Sequence, residues 1–147
     1  MYKCKHFPYP IGYVHPELGR VILPPTKILP AAYEFIKTWK AESPGPPHYV
    51  LVKCFGRPYQ KVFIDSAFEH IENKSAGNIA RRYRFLPCVR ELLLECGETP
   101  AVTRGGSLRL EGKAPPYNEI FTVILEATEA PTGEHGRRLV TFYPISP

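Results

Sequence analysis

Residues 61–98 read KVFIDSAFEHIENKSAGNIARRYRFLPCVRELLLECGE, and their order decides the fold class. Gln60 to Ile64 is a short β-forming run, with CFGRPY before it and Asp65-Ser66 after it. Ser66 and Glu69 are spaced as a capping box, the hydroxyl serving the N3 amide and the carboxylate reaching back. His70 then falls in the first turns of a helix whose Phe68 and Ile71 face the core. Ala76-Gly77 interrupts that helix, and NIARRYRF supplies Arg81, Arg82 and Arg84. Pro87 starts a second helix, in which Val89, Leu92, Leu93 and Cys96 form one apolar stripe.

Beyond Ala101 the hydrophobic period drops to two. Leu108 and Leu110 alternate with Ser107, Arg109 and Glu111; Phe121, Val123, Leu125 and Ala127 alternate with Thr122, Ile124 and Glu126. Val140 and Phe142 alternate with Leu139, Thr141 and Tyr143, and EAPTGEHGR, residues 129–137, is expected as the loop before them. Such alternation marks antiparallel strands with helices on one face. Upstream, HYVLVK (48–53) pairs with the Gln60–Ile64 run as a hairpin, and Pro30 to Lys40 forms a helix with Ala32, Ile36 and Trp39 on one stripe. ESPGPP (42–47) is a linker, and residues 1–30 are an extended arm too apolar for a disordered tail. The expected fold is α+β: helices on one face of a four- to five-stranded antiparallel sheet. Residues 48–147 form that domain, and residues 1–47 a Pro-rich N-terminal extension with one helix.

A chain of 147 residues with 44% hydrophobic residues suits one packed domain. Its formal charge of +5 favours polyanions, nucleic acid before anionic membranes. No apolar run is long enough to span a bilayer, so no membrane partner is expected. The Pro- and Tyr-rich start lacks the apolar core of a secretory signal, which fits cytoplasmic synthesis, or release from a larger delivered polypeptide. Cys4, Cys54, Cys88 and Cys96 make no CxxC pair and read as buried thiols; Cys4 and His6 alone make no metal site. No metal and no cofactor is expected.

Strand parity sorts the polar residues. If the leucines, valines and phenylalanines of the last strands face the helices, Arg109, Thr122, Glu126, Thr141 and Tyr143 share the other face. Metal-independent RNA cleavage needs a base for the 2′-hydroxyl, an acid for the 5′-oxygen, and cations around the crowded phosphorus. His70 can act as acid or base near neutral pH. Arg109, Arg81, Arg82 and Arg104 can hold phosphate, and Thr141 and Tyr143 can orient it. Glu126 is a further base or substrate contact if it faces the cleft. Each has an ordinary reading too: a lone helical His is commonly a surface residue, clustered arginines a solvated face, and a strand Thr a good strand former.

The order of strand, F-x-H-I helix, Arg-rich segment, amphipathic helix and strands ending in L-V-T-F-Y-P resembles the barnase–EndoU–colicin–RelE-like nuclease superfamily, in its phage-associated and polymorphic-toxin branches. The resemblance rests on Phe68-Glu69-His70-Ile71, Arg81-Arg82 and Leu139 to Pro144, within residues 48–147. It implies a toxin-type endoribonuclease that leaves 2′,3′-cyclic ends, often on tRNA, with an immunity or antitoxin protein as partner. His70 and the Thr141/Tyr143 pair match best; Arg109 or Arg104 fills the basic strand position. The second histidine of some branches has no clear match, since His135 is expected in a loop. The alternatives are a non-catalytic nucleic-acid-binding module and a phage-derived structural or adaptor protein that docks through its arm.

Overall fold

The computed structural model describes residues 1–5, 10–12, 23–56, 59–116, 118–129 and 135–145. Residues 6–9 and 13–22 of the arm and the tip of the loop before the last strand lie outside the described residues. The elements are β1 (Tyr2–Lys3), α1 (Pro25–Lys40), β2 (Tyr49–Val52), β3 (Gln60–Phe63), α2 (Asp65–Ile71), α3 (Ala76–Tyr83), α4 (Leu86–Glu95), β4 (Ala101–Val102), β5 (Leu108–Ala114), β6 (Glu119–Glu129) and β7 (His135–Pro144). No described helix is long and apolar enough to cross a membrane.

The α+β class stands, but the expected antiparallel sheet of four to five strands is wrong. The sheet has seven strands and is mixed, in the order β1-β5-β6-β7-β3-β2, with β4 also on β5. Two pairings are parallel: β1 with β5, and β3 with β7. The second follows from the connection, because α2, α3 and α4 carry the chain across and return it through β5 and β6. Alternation reports which face is buried but not strand direction, so these pairings leave no mark in the period.

Several local readings also shift. α1 begins at Pro25 and takes Pro30 into its second turn. Pro25 suits the helix start, and Thr26, whose carbonyl Pro30 cannot serve, is exposed. The buried stripe is therefore longer, comprising Ile28, Ala32, Ile36 and Trp39. The capping box does not form: α2 starts at Asp65, and Ser66 Oγ donates to the Leu139 carbonyl (3.3 Å). The break between α2 and α3 falls before Ser75, which caps α3 by accepting from Asn78 N, so Gly77 lies inside a helix. β6 and β7 extend into the expected loop, to Glu129 and from His135.

The core lies between the helices and one face of the sheet. Leu110, Phe121, Val123, Leu125, Leu139 and Phe142 meet Leu86, Val89, Leu92 and Leu93 there. Trp39, Phe68, Tyr83 and Phe142 form an aromatic chain with centroids 6.0 to 6.3 Å apart. Gly112 is required in β5, since a Cβ there would sit 2.6 Å from Phe121 Cζ and 2.9 Å from Leu92 Cδ1. Tyr2 and Lys3 pair with Gly112 and Lys113, and α1 packs into the same core. A register shift between Ile124 and Leu125 adds a residue in β7, so Leu139 rather than Val140 shares the core face with Phe142. All four cysteines are free, Cys54 being half-buried and the other three buried.

Candidate nucleic-acid interface

The face of the sheet away from the helices is read off the register. Arg109, Ile124 and Thr141 form one row across β5, β6 and β7; Glu111, Thr122 and Tyr143 form the next. Thr122, flanked by the larger Glu111 and Tyr143, is only 1% exposed. Strands lie about 4.8 Å apart, so the backbones of Arg109 and Thr141 are separated by about 10 Å. Toward β2 the same face continues through the row Glu126, Arg138, Phe63 and Tyr49.

β3 pairs with β7 only at Arg137 and Arg138. Beyond that point β7 would present an open edge, which α2 and α3 cover. The covering contacts assemble three of the expected site residues. Arg82, on α3, donates from Nη1 to Thr141 Oγ1 (2.7 Å) and to the Phe142 carbonyl (3.3 Å). Its Nε donates to Asn78 Oδ1 (3.1 Å), and its guanidinium stands 5.6 Å from the centre of the Tyr143 ring. Burial and the charge of Arg81 lower the Arg82 pKa, and Tyr143 acts against them; a guanidinium stays charged regardless. Nη2 makes none of these bonds. Thr141 accepts from Arg82 and can still donate its own proton.

His70 is exposed in the last turn of α2. Ser66 and His70 share a helical stripe, and Ser66 is bonded to Leu139. His70 therefore sits on the flank of α2 turned to β7, one turn or about 6 Å along the helix from that contact. Among the described residues its side chain makes no hydrogen bond or ion pair. Arg109 is 49% exposed and lies 3.6 Å from Glu111. Glu126 is held by Arg138 (2.8 Å), which ties up the carboxylate. Arg81 and Arg104 are exposed, the latter in the turn between β4 and β5, and neither joins the Arg82 cluster. Arg84 turns inward and pairs with Glu119 (3.4 Å), the two being 8% and 7% exposed.

A groove of about 910 Å³ lies on the opposite flank of α2, against α1. The sequence reading missed it. Asp65 Oδ2 accepts from the His48 backbone (2.6 Å), and its Oδ1 meets His48 Nδ1 (2.9 Å) and Lys40 Nζ (3.4 Å). Tyr33 and Tyr83 both donate to Glu72 (3.1 and 2.8 Å), and burial together with that bond pushes the Tyr83 phenol up. The signal for this cluster was Asp65, Glu69 and Glu72 at i, i+4 and i+7, one acidic stripe on a basic chain. Three carboxylates against Lys40 give the groove the wrong sign for a polyanion. Among the described residues no group of three or more His, Cys, Asp and Glu could hold a metal ion.

Asp65 latches the ends of α1, β2 and α2 together. Burial alone raises its pKa, but the hydrogen bonds from His48 and the charges of His48 and Lys40 outweigh that and hold it below the usual value. A carboxyl depressed by folding contributes stability above its unfolded pKa and loses it as pH falls through the folded one. Urea unfolding should thus show Asp65→Asn destabilised by about 1.5–3 kcal/mol at pH 7. The gap from wild type should close below about pH 4; a gap that persists there would show that the carboxylate charge is not what matters.

No family model, no curated protein and no solved structure matches the chain.

Proposed function

We propose that the protein cleaves single RNA phosphodiester bonds by attack of the neighbouring 2′-hydroxyl, using His70, Arg82, Thr141 and Tyr143. The observation that carries this reading is the Arg82–Thr141–Tyr143 cluster, in which α3 meets two neighbouring outward residues of β7 on the rim of the sheet face. Arg82 is oriented by three bonds and offers Nη2 to a phosphate oxygen, so its charge is in place before the crowded phosphorus forms. Thr141 donates to a second oxygen, and Arg109, in the same row, reaches the next phosphate along the strand. His70 stands at the adjoining rim, exposed to solvent, as the proton carrier of the proposed site. Tyr143, which shares the guanidinium with Thr141, supplies a phenol at the other side of the phosphate.

Charge supports the assignment. Lys61, Arg138, Arg109 and Lys113 share the outer face with Glu126 and Glu111, while the α1–α2 groove is acidic. A polyanion is therefore drawn to the sheet. A neutralising protein partner with an acidic surface belongs to the same proposal, as does tRNA among the RNA substrates.

Incubating the protein with total RNA in excess EDTA tests the reading. Fragments with 2′,3′-cyclic phosphate ends are the expected product. Intact RNA at protein concentrations that saturate binding would leave a non-catalytic nucleic-acid-binding module instead, a reading favoured by the fact that Arg82 and Thr141 already satisfy one another.

A further inference from the structure

The outer face carries more than the rim cluster. Tyr49 and Phe63 are cross-strand partners on β2 and β3, half-buried, with ring centroids 6.2 Å apart and planes at 71°. Lys61 Nζ lies 4.6 Å from the Tyr49 centroid. Phe63 lies beside Gly136 of β7, where any Cβ would come within 3.3 Å of the ring. Core packing does not account for this pair, since the alternate residues Val50, Val52 and Val62 fill the interior. An aromatic pair with cations alongside, on a sheet face, suits stacked bases and backbone phosphates.

Position links the pair to the rim. Phe63 is in register with Arg138, and Thr141 is the next outward residue of β7 after the inserted Val140. One strand spacing across and two to three residues along place Phe63 roughly 10 Å from Thr141. A nucleotide in an extended strand spans about 6–7 Å, on the scale of one fully extended phosphate-to-phosphate step, so this is a separation of one to two nucleotides.

We propose that Tyr49 and Phe63, flanked by Lys61 and Arg138, form a stacking subsite for unpaired bases one to two nucleotides from the phosphate held at Arg82. The substrate class is accordingly single-stranded RNA, because bases stacked within a duplex cannot present their faces to the rings. This deepens the reading of the rim cluster as a ribonuclease site and rests on it for the role of Arg82.

The test is fluorescence anisotropy with a fluorescein-labelled 2′-O-methyl RNA 12-mer, which lacks the attacking hydroxyl and so reports binding alone. The single strand should bind at least tenfold more tightly than its duplex. Tyr49→Ala and Phe63→Leu, each checked for an unchanged thermal midpoint, should each weaken binding by roughly tenfold with an unaltered salt slope. Lys61→Gln and Arg138→Gln should reduce the slope by about one. Equal affinity for duplex, no measurable binding of the single strand, or full affinity in both folded aromatic variants would overturn the subsite. Binding that follows this pattern, with no cleavage of the matching 2′-hydroxyl RNA in EDTA, would remove the nuclease reading and leave the subsite in place.

Discussion

In the His70→Ala variant, RNA cleavage in EDTA is expected to fall by about 10²- to 10⁴-fold, the usual contribution of a positioned acid or base. His70 is exposed at the end of α2 and its side chain is bonded to no described residue, so truncating it should leave the thermal midpoint within experimental scatter. That separation makes the experiment decisive. Arg82→Ala behaves differently, because Arg82 also closes the edge of β7 through Thr141 and the Phe142 carbonyl. It should lose a comparable factor in rate and also stability, by about 1–3 kcal/mol for the stranded bonds. Tyr143→Phe keeps the ring beside the guanidinium and removes only the hydroxyl, so it isolates the proton or hydrogen-bonding role. An unchanged rate in both His70→Ala and Tyr143→Phe would move the chemistry elsewhere.

Arg84→Met should destabilise the fold by about 3–5 kcal/mol, the largest effect on stability foreseen for one substitution. Arg84 leaves α3 at its C-cap and runs inward to Glu119, at the start of β6. Its backbone carbonyl also receives the Ile11 amide, so the residue joins the arm to the helices. Removing the guanidinium takes away a cation that lies 3.4 Å from a carboxylate only 7% exposed. The double variant Arg84→Met/Glu119→Leu removes both charges and should recover most of the loss, because two apolar side chains of similar volume fill the same space. Urea midpoints of the two variants measure this directly. A single variant as stable as wild type would mean that solvent reaches Glu119 once Arg84 is gone.

The sequence was informative where one physical signal acts alone. The stripe of α4 and the alternation in β5 and β6 depend on burial, and burial leaves a period. The grouping of Thr141 with Tyr143 follows from the same parity, and Phe142 between them is fully buried. Signals failed where two uses compete for one residue. Ser66 and Glu69 have capping-box spacing, yet Ser66 serves the Leu139 carbonyl and Asp65 takes the helix start to hold His48. Val140 looks like a core residue of β7 until the inserted residue shifts Leu139 into its place. The His48–Asp65 contact joins residues with no shared period, and the turn of Arg84 inward while Arg82 goes to the sheet rim depends on where β6 lies. Strand direction was beyond reach for the same reason, since a parallel partner and an antiparallel one bury the same face.

The parallel seam between β3 and β7 bears on how the chain matures. The hairpin of β2 and β3 is made early, but the strand that completes its hydrogen bonding starts at His135. Until the ribosome has passed that point, Val62 has no sheet neighbour on that side, and Phe142 is missing from the aromatic chain of Trp39, Phe68 and Tyr83. Closing a connection this long costs entropy before any contact repays it. Nascent chains stopped short of β7 should therefore be open to proteases, with protection arriving in one step once β7 emerges.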